Sequence, residues 1–523
     1  MALSIYSVVF AACVVFVLNV VIKTQLQRRK MPPGPPGIPL LGNALQLPSA
    51  FPWLKFTEWS KQYGPIYSLN LAGTPVVILN TFKTAADLMD RRSNIYSDRP
   101  RLIMASEILT GGIFMIFTKY GDVWRKMRRA SHEEFSIRGC EKFQGQQHEE
   151  AALSVLDILE TPDEWQDCLK RSTASNILTA VYGRERLTPK DKPLITRIHA
   201  HTARIAGAVV PGAYLVEIFP FMKHFPTWMA KWKKDGLDWY KRETDMFEKL
   251  CDDIDTQKHS FVRGLKENQA RHGLTKPEAA WLAGIMFSAG AETTLGTLFN
   301  FVLAMTLYPN VMKRAQAEID SVVGRDRLPN FDDKPRLPYI RAMVKESLRW
   351  RPVGPVAVPR RTTEARDDYY NGYLIPKGTT VIPNIWRVFF PMSAPWAMNH
   401  DPELYPDFEE FRPDRFLDES GQKDNVPPDT HEMGHGTFGF GRRICVGYNF
   451  ANQVLFIQMA MMLWAFNFEA PLDDSGQPIV PDRSATIDAG VVVLPAPFKT
   501  KITPRSPDVP STIRQELEHL GAL

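Results

Sequence analysis

Cysteine is scarce in this 523-residue chain: Cys13, Cys140, Cys168, Cys251 and Cys445 are the five, an odd number, widely scattered. No two stand at Cys-x-x-Cys spacing, which excludes a zinc knuckle and a disulfide framework and leaves reduced thiols in a cytosol-facing protein as the expectation. An excess of one charge sign is also missing. Lys plus Arg number 63 against 58 Asp plus Glu, a net charge of +5. That is far from the concentrated basic face of a nucleic-acid binder, so no nucleic-acid partner is expected. No internal repeat is visible. With 44% hydrophobic residues, the chain has the composition of a folded core.

What is present begins at the N-terminus. Leu3 to Ile22, "LSIYSVVFAACVVFVLNVVI", carries no charge over twenty residues, the length of a helix that spans a bilayer. Lys23, Arg28, Arg29 and Lys30 follow, and positive flanks stay on the cytosolic side. There is no basic n-region and no small-residue cleavage site, so residues 1–30 are expected to be an uncleaved single-pass anchor rather than a signal peptide. "MPPGPPGIPLLGN" (31–43) holds five prolines and three glycines, which forbid continued helix and predict a stiff spacer.

Residues 44–504 read as one mainly helical domain with minor β structure. Two short strands are predicted in "PIYSLNLAGTPVVILN" (65–80), and a second β patch around Asn371-Gly372 and Lys377-Gly378. Helical spacing marks the stretches around Trp124, 151–159, 239–254, 277–307, 342–350 and 449–466. Residues 505–523 read as a polar tail.

The chemistry concentrates in "FGFGRRICVG" (438–447). A lone thiolate is a soft, electron-donating ligand of the kind that binds haem iron for oxygen activation. Gly439, Gly441 and Gly447 allow close backbone approach and left-handed conformations. Later amides can donate weakly to the sulfur, and a helix starting near Tyr448 favours its negative charge. Arg443 is a cation for a haem propionate. Elsewhere, Thr275 and Glu278 form a potential capping box ahead of a long apolar helix. Within it, "AGAETT" (289–294) predicts a polar notch, with the Thr293 hydroxyl bonding the Ala289 carbonyl.

Phe438, Gly441, Arg443, Cys445 and Gly447 reproduce the F-x-x-G-x-R-x-C-x-G signature, and the chain resembles the cytochrome P450 family of haem-thiolate monooxygenases. The resemblance runs from the anchor to about residue 500, is of the microsomal eukaryotic type, and is most similar to fungal secondary-metabolism members. It implies the cytochrome P450 fold, with haem b between the long central helix and the ligand loop, and Cys445 on the iron. Thr293 and Glu292 then deliver protons, and Gly290 belongs to the cofactor site. Trp124 and Arg128 of "WRKMR", with Arg360, join Arg443 at the propionates. Glu346 and Arg349 of "ESLR" and Arg415 of "PDRF" form a structural triad.

Lys126, Arg129 and Arg442 are a candidate basic face for an acidic electron donor. By resemblance the partners are an NADPH-dependent cytochrome P450 reductase, with cytochrome b5 as a further donor, and the location is the endoplasmic reticulum membrane. Apolar stretches at 102–117, 206–225, 283–287, 353–358 and near Val491 suit a lipophilic substrate, such as a terpenoid. "FPFMKHFPTWMAKW" (219–232) has the aromatic and lysine mixture of a membrane-interface segment. Two competing readings are a reductase-independent isomerase or peroxygenase, and a silent haem or lipid binder. The intact Glu292-Thr293 pair and motifs argue against both. "RVFFPMSAPW" (387–396) departs from the family pattern as an apolar insertion.

Overall fold

The alternating apolar residues of 65–80 pair as the spacing predicts. In the computed structural model β1 (Ile66–Leu71) and β2 (Thr74–Leu79) form an antiparallel hairpin, turning at Ala72 and Gly73 with φ of 48° and 90°. The structure describes every residue except 1, 49, 189–190, 211, 256, 387–396, 489–491 and 523. Its residues group into two compact units, where the sequence read as one domain: Met1–Pro100, Val356–Pro406 and Gly439–Arg443 form the first, and Arg101–Pro355, Asp407–Phe438 and Ile444–Leu523 the second.

In the first unit β1 and β2 are joined by β3 (Arg360–Arg361) and β6 (Thr380–Pro383) in a sheet of order β1-β2-β6-β3. The β2–β6 pairing is parallel, with Val77 opposite Val381, and β3 runs antiparallel to β6. Val77, Ile78, Leu79 and Val381 are fully buried, each worth about 1.5–3 kcal/mol on transfer from water. The predicted second β patch is a hairpin of β4 (Asp368–Tyr370) and β5 (Tyr373–Ile375), turning on Asn371 and Gly372 at positive φ.

The proline-rich segment is docked rather than a free spacer. The Ser68 backbone N–H donates to Pro33 O at 2.8 Å, the Ser68 hydroxyl to Pro32 O at 2.6 Å, and Leu374 N–H to Lys30 O at 2.8 Å. A Cβ on Gly34 would stand 1.9 Å from Ser68 O, so glycine is required at that contact. Ahead of it, the uncharged N-terminal run forms α1 (Ala2–Arg28), with Tyr6, Val8, Phe10 and Val15 exposed. Among the described residues no single helix is long and apolar enough to cross a membrane, so the predicted span is not shown by the fold. The first unit also holds α2 (Pro52–Tyr63), entered through proline at its first turn.

The second unit is helical: α3 (Asp122–Phe135), α4 (Gln144–Glu160), α5 (Trp165–Tyr182), α6 (Lys192–Val209), α7 (Lys231–Asp252), α8 (Lys276–Leu307), α9 (Pro309–Val322), α10 (Pro338–Trp350) and α11 (Tyr448–Ala465). The 32-residue α8 is its axis, packed against α5, α7 and α11. It opens with the expected capping box of Thr275 and Glu278, two orphan N–H groups satisfied at once. Trp281, Trp350 and Trp464 are fully buried. α8 and α9 meet at a bend of 105°, and α8 is buried along most of its length in this core.

Two strand pairs complete the unit: β7 (Phe466–Glu469) with β10 (Lys501–Pro504), and β8 (Thr486–Asp488) with β9 (Val493–Pro495). The polar tail folds as well. α12 (Val509–His519) buries Val509, Ile513 and Leu517 at helical spacing against α4.

Candidate active site

The ten-residue motif is divided between the units, Gly439–Arg443 belonging to the first and Phe438 with Ile444–Gly447 to the second. In the second, the Cys445 N–H donates to Phe438 O at 2.9 Å, closing the ligand loop, and α11 starts directly after Gly447. The Cys445 thiol keeps accessible surface although it lies deep in the protein. Accessible surface at depth is the lining of a cavity. Burial pushes the thiol above its ordinary pKa, while the Gly447 N–H and then Arg128 pull it back. The Gly447 amide is thus near enough to the sulfur to favour its negative charge.

α3 presents Trp124 and Arg128 one turn apart. Trp124 is buried, with its ring 5.1 Å from that of Tyr120. Arg128 Nη1 donates to the Ile444 carbonyl at 2.6 Å, beside the cysteine, and burial lowers its pKa against the opposing effect of Cys445. Lys126, read as part of a basic face, donates to Gly273 O at 2.9 Å. Phe438 lies between the rings of His435 and Tyr448, at 5.5 and 6.1 Å.

In the first unit the remaining motif residues are held by backbone and sheet. Arg443 Nε donates to Ser97 O at 2.9 Å, and Arg360 Nη2 donates to Phe440 O. Gly441 has φ +54°, its N–H donates to the Asp90 carboxylate, and a Cβ there would stand 1.9 Å from Met89 O. Glycine at 441 is thus dictated by the approach of residues 89–90. Gly439 is glycine for its φ of +75°, and Gly447, with open space around it, precedes the helix. Sequence reasoning gave the three glycines close approach and left-handed conformations, which Gly439 and Gly441 adopt, and missed Asp90 and Met89, which are some 350 residues away.

The polar notch of α8 is where the spacing put it. Met286, Ala289, Gly290 and Thr293 keep accessible surface in a helix otherwise mostly buried, at the i, i+3, i+4, i+7 positions of one face. The Thr293 hydroxyl donates to Ala289 O at 2.8 Å, and Thr293 O accepts from the Thr297 hydroxyl at 3.0 Å. Gly290 owes its size to packing, since a Cβ would meet Ile177 Cγ1 of α5 at 2.8 Å. Glu292 Oε1 lies 2.7 Å from His199 Nδ1 on α6. No sequence signal pointed to that histidine, 93 residues away.

The structural triad forms as the resemblance implies. Glu346 and Arg349 are 0% exposed and 2.6 Å apart, and Arg415 Nε reaches Glu346 Oε1 at 3.2 Å. Of the substrate segments, Ile103–Ile108 is held by Glu217, whose carboxylate accepts from the N–H groups of Ile103 and Met104 at 3.0 and 2.7 Å. Phe219, Phe221 and Trp228 are exposed. Val353 and Leu494 press on Gly296 of α8. The 387–396 insertion and Val491 lie outside the described residues.

The donor set fits haem. A single deep thiol with an amide on its sulfur, and an accessible face along the central helix, suit a thiolate-ligated macrocycle, and no His/Cys/Asp/Glu cluster among the described residues offers a competing metal site.

Comparison with known proteins points the same way. Residues 32–502 match the family model described as Cytochrome P450. The chain is 56% identical over 485 residues to cytochrome P450 monooxygenase 58 of Postia placenta, covering 92% of this chain and 90% of that protein. A cytochrome P450 monooxygenase of Armillaria gallica is 47% identical, with 94% and 93% covered. Among solved structures, a zebrafish cytochrome P450 with progesterone aligns at TM-score 0.69 and 26% identity, over 87% of this chain and 99% of that one.

Proposed function

This chain belongs to the cytochrome P450 family, and from that premise we propose how this monooxygenase divides its work and what it acts on. The enzyme is a cytochrome P450 monooxygenase. Its substrate is a lipophilic small molecule, a secondary metabolite such as a terpenoid, which it hydroxylates, epoxidises or desaturates. The accessible face of α8, apolar at Met286, Ala289 and Gly290 before it meets Thr293, supports that substrate class. So does the progesterone complex of the zebrafish protein, whose fold this chain shares.

Haem bound through Cys445 supplies dioxygen activation once electrons arrive from an NADPH-dependent reductase. The protein's own part starts at the sulfur. The Gly447 N–H and Arg128 stabilise negative charge on Cys445. Arg443, Arg360, Trp124 and Arg128 are the proposed propionate partners. Thr293 holds a hydroxyl on the accessible face, fixed by Ala289 O, and Glu292 supplies protons next to it. α1 anchors the enzyme to the endoplasmic reticulum membrane, with the catalytic body cytosolic. The exposed Tyr6, Val8, Phe10 and Val15, with the basic residues that follow, support that placement.

The observation that carries the reading is the accessible Cys445 thiol at depth, under a Gly447 amide. The test is the carbon-monoxide difference spectrum of the reduced protein. A red-shifted Soret band is expected and should vanish in Cys445→Ser; a wild-type protein lacking the band refutes thiolate ligation. Thr293→Ala should keep the band while NADPH consumption outruns product, and fully coupled turnover there removes Thr293 from its role. Incubation with a reductase and lipophilic metabolites, read by mass spectrometry, identifies the substrate.

A further inference from the structure

We propose that His199 loads protons onto Glu292 from solvent; the inference rests on the assignment of Glu292 and Thr293 to proton delivery. His199 is a positioning residue that touches no reacting atom and acts through the carboxylate. The two side chains belong to different helices, α6 and α8, and meet at 2.7 Å between Nδ1 and Oε1. His199 is 30% exposed and Glu292 18%. The imidazole therefore stands between water and an acid that lies one residue from the hydroxyl on the accessible face of α8. A ring with one nitrogen on a carboxylate and part of its surface in water is suited to pass a proton across itself.

The neighbouring histidine shows what a purely structural pair looks like. His201, two residues on, puts Nδ1 2.8 Å from Glu243 Oε2 on α7, is 1% exposed, and stacks on Trp239 with ring centres 5.0 Å apart. Its Nε2 is buried without a hydrogen-bond partner among the described residues. No proton enters by that ring. The His201 pair pins α6 to α7 and so fixes where His199 stands. Arg197, the cation preceding both, goes to Glu243 at 3.5 Å and leaves Glu292 to His199.

The transfer balances simply. Nδ1–H gives its proton to Glu292 Oε1 as Nε2 takes one from solvent hydronium, which leaves as water; the ring stays neutral in its other tautomer, and proton exchange with water restores the first. Glu292 passes the proton on toward the Thr293 side and returns to the carboxylate.

His199→Ala and His199→Asn separate relay from mere hydrogen bonding, because the Asn amide donates to Glu292 but cannot shuttle a proton. Both should lower kcat about tenfold with KM little changed, raise NADPH use per product, and enlarge the solvent isotope effect. Wild-type turnover in His199→Asn overturns the proposal. An independent readout is the 15N spectrum of histidine-labelled full-length enzyme, taken in the diamagnetic carbon-monoxide complex of the reduced form. The His199 resonance, assigned by its loss in His199→Asn, should report a protonated Nδ1; a ring protonated only at Nε2 overturns the proposal, since Nδ1 could then only accept. The same sample separates the two claims. Absence of the red-shifted Soret band refutes thiolate ligation, whereas an intact band with wild-type kinetics in both variants refutes the relay alone.

Discussion

Glu346 and Glu292 are both carboxylates at the core of the second unit, and they are held in opposite ways. Every direction around Glu346 is taken: Arg349 donates to both oxygens at 2.6 and 2.8 Å, the Arg412 N–H at 2.7 Å and Arg415 Nε at 3.2 Å. Glu292 is partly accessible, with one histidine at 2.7 Å. A carboxylate held by four donated hydrogen bonds is fixed in place. One held by a single histidine keeps acceptor capacity that the fold does not use.

The largest effect expected from breaking this contrast is at Glu346. Glu346→Ala leaves two guanidiniums buried without their counter-charge, a change that costs about 3–5 kcal/mol. Chemical denaturation should show that loss together with poor haem retention. A loss below about 1 kcal/mol means that the triad is not what holds α10 to the segment carrying Arg415. Glu292→Gln should leave stability nearly unchanged, because the amide keeps the shape of the side chain and can still hydrogen-bond the His199 ring.

Glu150 on α4 is a third kind of buried acid. Ser175 donates to Oε2 at 2.8 Å, Arg186 Nε lies 3.8 Å away, and among the described residues Oε1 is buried without a hydrogen-bond partner. Burial raises its pKa to about 8, against the opposing pull of Arg186. The folded state therefore binds this proton more tightly than the unfolded chain, whose Glu titrates near ~4.3. The stabilisation is complete below that value and fades as pH rises through about 8. Between those limits the wild type should lose about 5 kcal/mol that Glu150→Gln does not. Urea unfolding of both proteins across the window measures it, and parallel pH profiles refute the assignment.

How much was legible follows from sequence separation. The Thr293–Ala289 bond, the Thr275 capping box and the Glu346–Arg349 pair all lie within four residues, where helix geometry fixes the partner. The loop motif was legible because it is short and carries its own glycines. What spacing could not supply is contact across the chain: His199 on Glu292, Met89 against Gly441, Pro32 and Pro33 on Ser68. Gly290 shows the same limit: the resemblance places it at the cofactor site, and only the fold shows Ile177 where a Cβ would stand. The tail misled for a different reason. Its many polar residues hide three apolar ones, Val509, Ile513 and Leu517, whose spacing makes one buried helix face.

That tail supplies the smallest effect, and it separates charge from packing where both meet α4. Arg514 Nη2 lies 2.7 Å from Glu160 Oε1, but both side chains are about half exposed, at 51% and 53%. An ion pair in that much water is screened, and it loses side-chain entropy that offsets its attraction. Arg514→Ala should change unfolding free energy by under about 0.5 kcal/mol. Its neighbour Ile513 is 0% exposed, and Ile513→Ala should cost about 2–4 kcal/mol. Equal effects from the two substitutions mean that α12 is held by its charges. The predicted inequality makes it an apolar staple on α4, held by packing where Glu346 is held by donated hydrogen bonds.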